Sequence, residues 1–143
     1  MRPVYWFEEV KQDLVKHIGS SAWRIGQLKN LELPSAPGFI LSSLFTNNFL
    51  NEIQNAKLKS QLLKQLVLLE RNTGKSIDSP KNPLILSVYP SHFDNLNDGI
   101  PPIINIGLND ETVEGLADSY HRPKFAYLTY LRFIAEFLSL IHI

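Results

Sequence analysis

One motif in the sequence has the form of a phosphate-binding loop, the triplet Gly74-Lys75-Ser76. A P-loop also needs a glycine five positions before the glycine of the triplet, and this chain has Leu69 there. A P-loop follows a strand and opens a helix, whereas this triplet comes after a stretch of helical periodicity. We therefore interpret Gly74 as the residue that ends a helix in a left-handed conformation.

Acid–base and metal-binding chemistry have weak support. Asp110, Glu111 and Glu114 form an acidic group, but they fall at a predicted helix start, where the helix dipole favours acidic side chains. A usual metal site needs three or four ligands, and no histidine has a second ligand at helix-face spacing. We expect no catalytic residue and no metal site from these groups. The histidines considered are His17, His92 (with Asp94 two residues away), His121 and His142.

Bulk composition narrows the class of protein. The 143 residues suit one domain, and the hydrophobic share of 44% is typical of a globular protein. Fourteen basic residues balance fourteen acidic ones, which argues against binding to nucleic acid or to an anionic membrane. The chain has no cysteine, so disulfides and thiolate chemistry are excluded. With no signal peptide or membrane-spanning run in the sequence, we predict a cytoplasmic protein with a single domain over residues 1–143.

The elements that position these residues are mixed, with helices dominant. Leu58, Leu62 and Leu69 recur at helical spacing, so the middle of the chain is the clearest helical region, with a break near Asn55 left open. In the first half we predict a strand over Val4 to Phe7, a helix over Gly19 to Leu31, a strand over Phe39 to Leu41, a helix start at Ser42 or Ser43, and helix from Leu44 to Arg71.

The second half continues with short strands and two helices. Asn109 or Asp110 should cap the first of these helices, and Pro123 suits the first turn of the second. The last residues, Phe137 to Ile143, are apolar and end without a cap, so we expect an exposed apolar face on the last helix. The predicted elements are a strand over Leu84 to Val88, a loop over Tyr89 to Pro102, a strand over Ile103 to Ile106, a helix from the cap to Ala117 or Ser119, and a final helix from Pro123.

Four segments together resemble a known family. The most specific is Gly107-Leu-Asn-Asp-Glu-Thr-Val-Glu-Gly-Leu-Ala117, which joins a helix-start signal to two glycines. The others are Asn30–Phe39 with its Pro-Gly-Phe ending, Thr73–Val88, and Phe125–Phe137. In this order and spacing, they resemble the nucleotide-binding end of pyruvate phosphate dikinase. The resemblance covers most of the chain, from about residue 19 to residue 137.

The resemblance implies a fold and a chemistry. The family's N-terminal region has an ATP-grasp-like fold that binds ATP and passes phosphate to a histidine on another domain. We therefore expect an α+β fold, the helix-rich first subdomain of such a nucleotide-binding region with a few short strands. The remaining ATP-binding subdomains, the phosphohistidine domain and the pyruvate-handling barrel would not fit in 143 residues. The chain then looks like a truncated dikinase that cannot run the whole reaction by itself.

The family's phosphate-handling residues are mostly replaced at the matching positions. Its Gly-Gly-Lys-Gly-Ala-Asn run falls on Gly19–Arg24, with Ser21 at the lysine and Arg24 one turn beyond it. Its second cation, an arginine after Ser-Val, falls on Tyr89. Its glycine-rich loop falls on residues 96–102, which end in Pro101-Pro102. Since phosphoryl transfer depends on cations and backbone donors around the phosphate, we expect retained fold and lost catalysis.

Three functional hypotheses follow. The first is a noncatalytic dikinase-like protein whose ATP site is weak or lost, with Mg²⁺ bound only together with ATP. The second is an ATP-binding piece that completes a kinase with the remainder of a dikinase encoded separately, with Arg24 standing in as the cation. The third is a non-enzymatic interaction module that uses the last helix.

Overall fold

The computed structural model of the chain describes residues 2–45, 52–90 and 101–141. The fold is α+β, as predicted, with short antiparallel strands and a majority of helix. The described residues divide into two compact units, one built from residues 2–45 and 52–72 and the other from residues 73–90 and 101–141. The single domain over residues 1–143 stays a prediction.

The first unit begins with a two-stranded sheet. Strand β1 (Val4–Trp6) pairs antiparallel with β2 (Phe39–Leu41), both where the sequence predicts strands. Two short 3-10 turns, Phe7–Glu9 and Gln12–Leu14, lead from β1 into helix α1 (Val15–Asn30). The core between these elements consists of Tyr5, Val10, Ile18 and Ile40.

Helix α1 extends the predicted helix towards the N-terminus. The predicted helix begins at Gly19, and the structure contains four further helical residues before it. Gly19 itself is not helical, because its φ of 78° and ψ of 161° lie in a region essentially restricted to glycine. The helix therefore has a kink where the prediction placed its start, and a second helical segment runs from Ser20.

A long helix completes the first unit. A helix starts at Ser43, directly after Ser42 as predicted, and α2 (Glu52–Thr73) is continuous through Asn55, so the break considered there does not occur. Whether residues 44–71 form one helix or two lies outside the described residues. Leu58 and Leu69 are buried, and Gln65 accepts a 2.8 Å hydrogen bond from the indole of Trp6. Gly74 ends α2 with φ 67°, which confirms the helix-stop interpretation.

The second unit is built on another antiparallel pair. Strand β3 (Leu86–Val88) pairs with β4 (Ile103–Ile106), with an irregularity in register between Leu86 and Val88. The prediction began β3 two residues too early, because the N–H of Leu84 donates to the carbonyl of Ser76 instead of to a strand. Most of the predicted loop over Tyr89 to Pro102 lies outside the described residues.

Two helices cover this sheet. Helices α3 (Thr112–Tyr120) and α4 (Pro123–Ile141) follow β4, and Pro123 occupies the first position of α4 as predicted. The core contains Leu108, Val113, Leu116, Ala117 and Ala126, with Phe133 packed against it. No helix in the described ranges is both long enough and apolar enough to cross a membrane. The cytoplasmic location stays a prediction.

Candidate nucleotide-binding positions

Gly19 is the predicted site residue with the most specific geometry. It is buried, and its backbone conformation is one that a residue with a Cβ atom adopts only with strain. A helical segment runs on from Ser20 directly after it. A glycine followed by a helix N-terminus is a common backbone arrangement at phosphate-binding sites.

Ser21 and Arg24 follow Gly19 on this helical segment. Ser21 is half-buried and carries a neutral hydroxyl, whereas Arg24 is exposed. Three of the four residues of the predicted site are therefore close in sequence and belong to one helix start. Arg24 is the cation nearest to Gly19 in sequence on this segment, and it forms no ion pair within the described part of the chain.

Trp23 occupies the place where the resemblance leads us to expect a small residue. Its ring packs against the core formed by Tyr5, Val10, Ile18 and Ile40. Its indole N–H is buried and has no hydrogen-bond partner within the described residues. An unpaired buried N–H destabilises a fold by about 1–3 kcal/mol, so the apolar contacts of the ring must outweigh that loss. The residue serves the core of the first unit.

Tyr89 belongs to the second unit, where it directly follows β3. Its side chain is 63% exposed, and Pro90 comes after it. Pro101 and Pro102, at the end of the predicted phosphate loop, are also exposed, and the rest of that loop lies outside the described residues. A phenol and two prolines supply neither the cation nor the backbone donors that a phosphate needs.

The Gly107–Ala117 segment forms a closely hydrogen-bonded turn in the second unit. Gly107 has φ 104°, and an added Cβ would lie 2.8 Å from the carbonyl oxygen of Leu84. At Gly115 an added Cβ would overlap the carbonyl oxygen of Pro80. Both glycines therefore allow a close approach of two backbone segments. This requirement is visible only in the folded structure.

The polar residues of this segment bond to one another. The Asn109 side-chain oxygen accepts hydrogen bonds of 2.9 and 2.8 Å from the N–H groups of Glu111 and Thr112. The buried Thr112 hydroxyl donates to the carbonyl of Gly107 and accepts from the N–H of Asn109, both at 2.8 Å. The prediction that Asn109 or Asp110 caps this helix is confirmed for Asn109.

The acidic residues of the segment bond to helix α4. Tyr130 donates a 3.0 Å hydrogen bond to Asp110, and Tyr127 donates one to Glu114. Each hydrogen bond raises the pKa of the tyrosine that donates it, because it favours the protonated phenol. Sequence reasoning missed these pairs, which join residues 13 and 20 positions apart. The carboxylates of Asp110 and Glu114 thus have a structural role in this fold.

Comparison with curated proteins shows where this combination of segments occurs. Over 140 residues the chain is 27% identical to pyruvate, phosphate dikinase of Clostridium symbiosum, an alignment that covers 96% of the chain. It is 32% identical to the Rickettsia conorii dikinase over 126 residues, or 87% of the chain. It is 30% identical to the Giardia intestinalis dikinase over 144 residues, or 95% of the chain. The chain is homologous to part of pyruvate phosphate dikinase.

The homology covers most of this chain but only a small part of each dikinase. The chain spans only 14 to 16% of the length of these dikinases. No protein-family model matches the chain. The shared part includes both units, since the alignments cover most of the chain. The comparison confirms the dikinase resemblance inferred from the four sequence segments.

Proposed function

We propose that this chain is a noncatalytic, dikinase-like protein that retains the scaffold of a nucleotide-binding region and lacks its phosphate chemistry. The observation that carries the proposal is the helix start at Gly19, which keeps a glycine-only backbone while Ser21 stands at the family's lysine position. The fold is of the ATP-grasp-like type on this reading. A neutral hydroxyl cannot replace the charge that balances a transferring phosphate.

The consequence for ATP is weak binding or none. A helix N-terminus alone contributes about 0.3–1 kcal/mol to the binding of an anion at an exposed site. Millimolar affinity already requires about 4 kcal/mol, so the missing cations decide the outcome. Mg²⁺ would bind only with ATP, since it usually needs phosphate oxygens among its ligands.

A thermal-shift experiment tests the proposal. A ligand that binds only the native state raises its stability, so the melting temperature should stay unchanged at millimolar ATP with or without Mg²⁺. The variant Ser21→Lys, which restores the cation beside Gly19, should gain ATP-dependent stabilisation. A Gln27→Lys variant adds the same charge further along α1 and serves as the matched control. Clear stabilisation of the unmodified chain by Mg²⁺ and ATP would contradict the proposal.

A second candidate is an ATP-binding piece that works with another chain. The supporting observation is Arg24, which is exposed and forms no ion pair within the described part of the chain. In this case Arg24→Ala should abolish any ATP-dependent stabilisation, and Arg24→Lys should keep part of it because the charge remains. Equal ATP responses of the unmodified chain and Arg24→Ala would eliminate this candidate.

A third candidate is an interaction module that binds the remainder of a dikinase through α4. Leu128, Leu131 and Leu138 are about half exposed on this helix, together with Ile141. Exposed apolar side chains in one continuous face are typical of protein interfaces. The test is co-purification with a dikinase chain that lacks the matching segment, in which Leu131→Asp should abolish the complex. Unchanged recovery with that variant would rule out α4 as the contact.

A further inference from the structure

We propose that helix α2 carries a second docking surface, separate from the nucleotide-binding positions, for an acidic amphipathic helix of a partner protein. On one side of α2, Leu58 and Leu69 are buried and Gln65 bonds to Trp6. Three large apolar side chains elsewhere on the helix are exposed. Leu63, Val67 and Leu68 are 52, 45 and 40% exposed, although all three are large and apolar.

The apolar residues form a seam along the helix. Ala56, Ser60, Leu63 and Val67 follow one another at spacings of four, three and four residues, and they line one shallow open depression. This spacing keeps the residues on one side of a helix and is the spacing of helix–helix contacts. The two small residues allow the backbone of a partner helix to approach one end of the seam closely. The surface therefore fits a helix.

The charged residues around the seam indicate the charge that a partner helix should carry. The residues that line the depression include Lys59, Lys64 and Arg71, and no acidic side chain. By helical rotation, Lys59 lies on one side of the seam and Lys64 on the other. A partner with carboxylates on both sides of an apolar stripe would pair with these cations, whereas a basic partner would be repelled.

A membrane surface fits the same helix less well. Helices that lie in a membrane interface combine a polar basic face with aromatic or bulky apolar residues on the other face. No aromatic residue lines this depression, and two of its seam positions are the small Ala56 and Ser60. The net charge of the whole chain is zero, so no general attraction to anionic lipid adds to the three cations. These features favour a protein helix.

Peptide binding by the full chain tests this inference directly. The probe is a synthetic helical peptide with leucine along one stripe and glutamate on both flanks, and the matched probe has lysine on the flanks. Fluorescence anisotropy should show at least about tenfold tighter binding of the glutamate peptide, with the difference reduced by salt. Equal affinity for the two peptides would overturn the inference.

Two variants locate the site. Val67→Asp should abolish binding of the glutamate peptide, while Leu131→Asp on α4 should leave it unchanged. The double variant Lys59→Glu, Lys64→Glu changes exposed side chains only and should reverse the preference towards the lysine peptide. An unreversed preference would overturn the inference even if Val67→Asp fails to fold, which far-UV circular dichroism would report.

Lipid binding is the competing outcome. Vesicles that contain phosphatidylserine should not bind the chain under conditions in which the glutamate peptide does. Vesicle binding that Val67→Asp removes, together with no peptide binding, would replace the partner helix with a membrane. Because no arm of this experiment contains ATP, its failure would leave the proposed loss of phosphate chemistry unaffected.

Discussion

The two helix starts at Gly19 and at Gly107 differ in what their neighbouring side chains do. Both use a glycine with positive φ before a helix. At Gly107 the polar residues that follow bond within the chain. The Asn109 side chain accepts a hydrogen bond from the N–H of Thr112, and the Thr112 hydroxyl donates one to the carbonyl of Gly107. At Gly19 the glycine-only backbone conformation is present, and the neutral Ser21, which we propose stands at the family's lysine position, follows it.

The difference shows which residues a fold requires. A side chain that bonds to its own backbone stabilises the folded state, so its replacement changes stability. A side chain that serves a phosphate contributes little to the fold, so its replacement leaves the scaffold intact. The following variants test this comparison, from the largest expected effect to the smallest.

Gly115→Ala should have the largest effect. The added Cβ would overlap the carbonyl oxygen of Pro80, a backbone atom that cannot move without displacing its loop. We expect a loss of about 3 kcal/mol in the free energy of unfolding, more than the gain in helix propensity from alanine. Urea denaturation followed by circular dichroism measures it.

The control for this variant is Gly74→Ala. Gly74 has a positive φ, unlike Gly115, but an added Cβ there would meet no atom within 4 Å. Its cost should be only the left-handed backbone conformation, about 1 kcal/mol. Equal losses for the two variants would show that the close contact with Pro80 is unimportant.

Gly19→Ala should cost about 2 kcal/mol, because its φ and ψ fall where only glycine is unstrained. Both tryptophans of the chain, Trp6 and Trp23, lie in the first unit, so their fluorescence reports unfolding of that unit. Ser20→Ala is the neighbouring control and should be nearly neutral. Unchanged unfolding of Gly19→Ala would mean that the kink is not required by the fold.

The same fluorescence also tests the single domain predicted from sequence. Circular dichroism averages over both units, whereas tryptophan fluorescence reports the first. Coincident urea transitions would indicate one cooperative domain, and separate transitions would indicate two.

Asn109→Ala should destabilise the chain by about 1 kcal/mol, since the amide oxygen accepts two backbone hydrogen bonds at the helix start. Asn109→Asp keeps the acceptor and should restore most of the loss. If aspartate fails to restore stability, the amide must act in some way other than as a cap.

The smallest effect concerns Glu9. Burial raises the pKa of its carboxyl. Hydrogen bonds from the Trp6 N–H and from Arg2 together lower the pKa by more than burial raises it, so the net pKa lies below the ordinary value. A lowered pKa in the folded state stabilises the fold above the unfolded value of about 4.3, and this contribution is lost as pH falls through the folded value.

Glu9→Gln should remove that contribution. Because the pair with Arg2 is largely exposed, we expect less than about 1 kcal/mol at neutral pH. The difference in melting temperature between the two proteins should shrink as pH falls from 6 towards 3. A constant difference across this range would assign the effect to packing and not to charge.

Local sequence signals located many of the elements. The β-branched and aromatic run at Val4 predicts β1, and β2 and β4 coincide with their predicted limits. The Gly74 helix stop and Pro123 at a helix start follow from backbone chemistry that each residue carries by itself. The early start of α1 was missed because Gly19, a helix breaker in sequence, forms a kink within it.

The sequence by itself determined the fold class and the homology to a dikinase segment. These follow from local periodicity and residue identity, which need no knowledge of distant contacts. Only the tertiary structure decided that Gly115 adjoins Pro80, that Asp110 and Glu114 bond to tyrosines of α4, and that apolar side chains of α2 remain exposed. The physical reason is that each depends on residues brought together by packing, and one sequence carries no direct record of those distances.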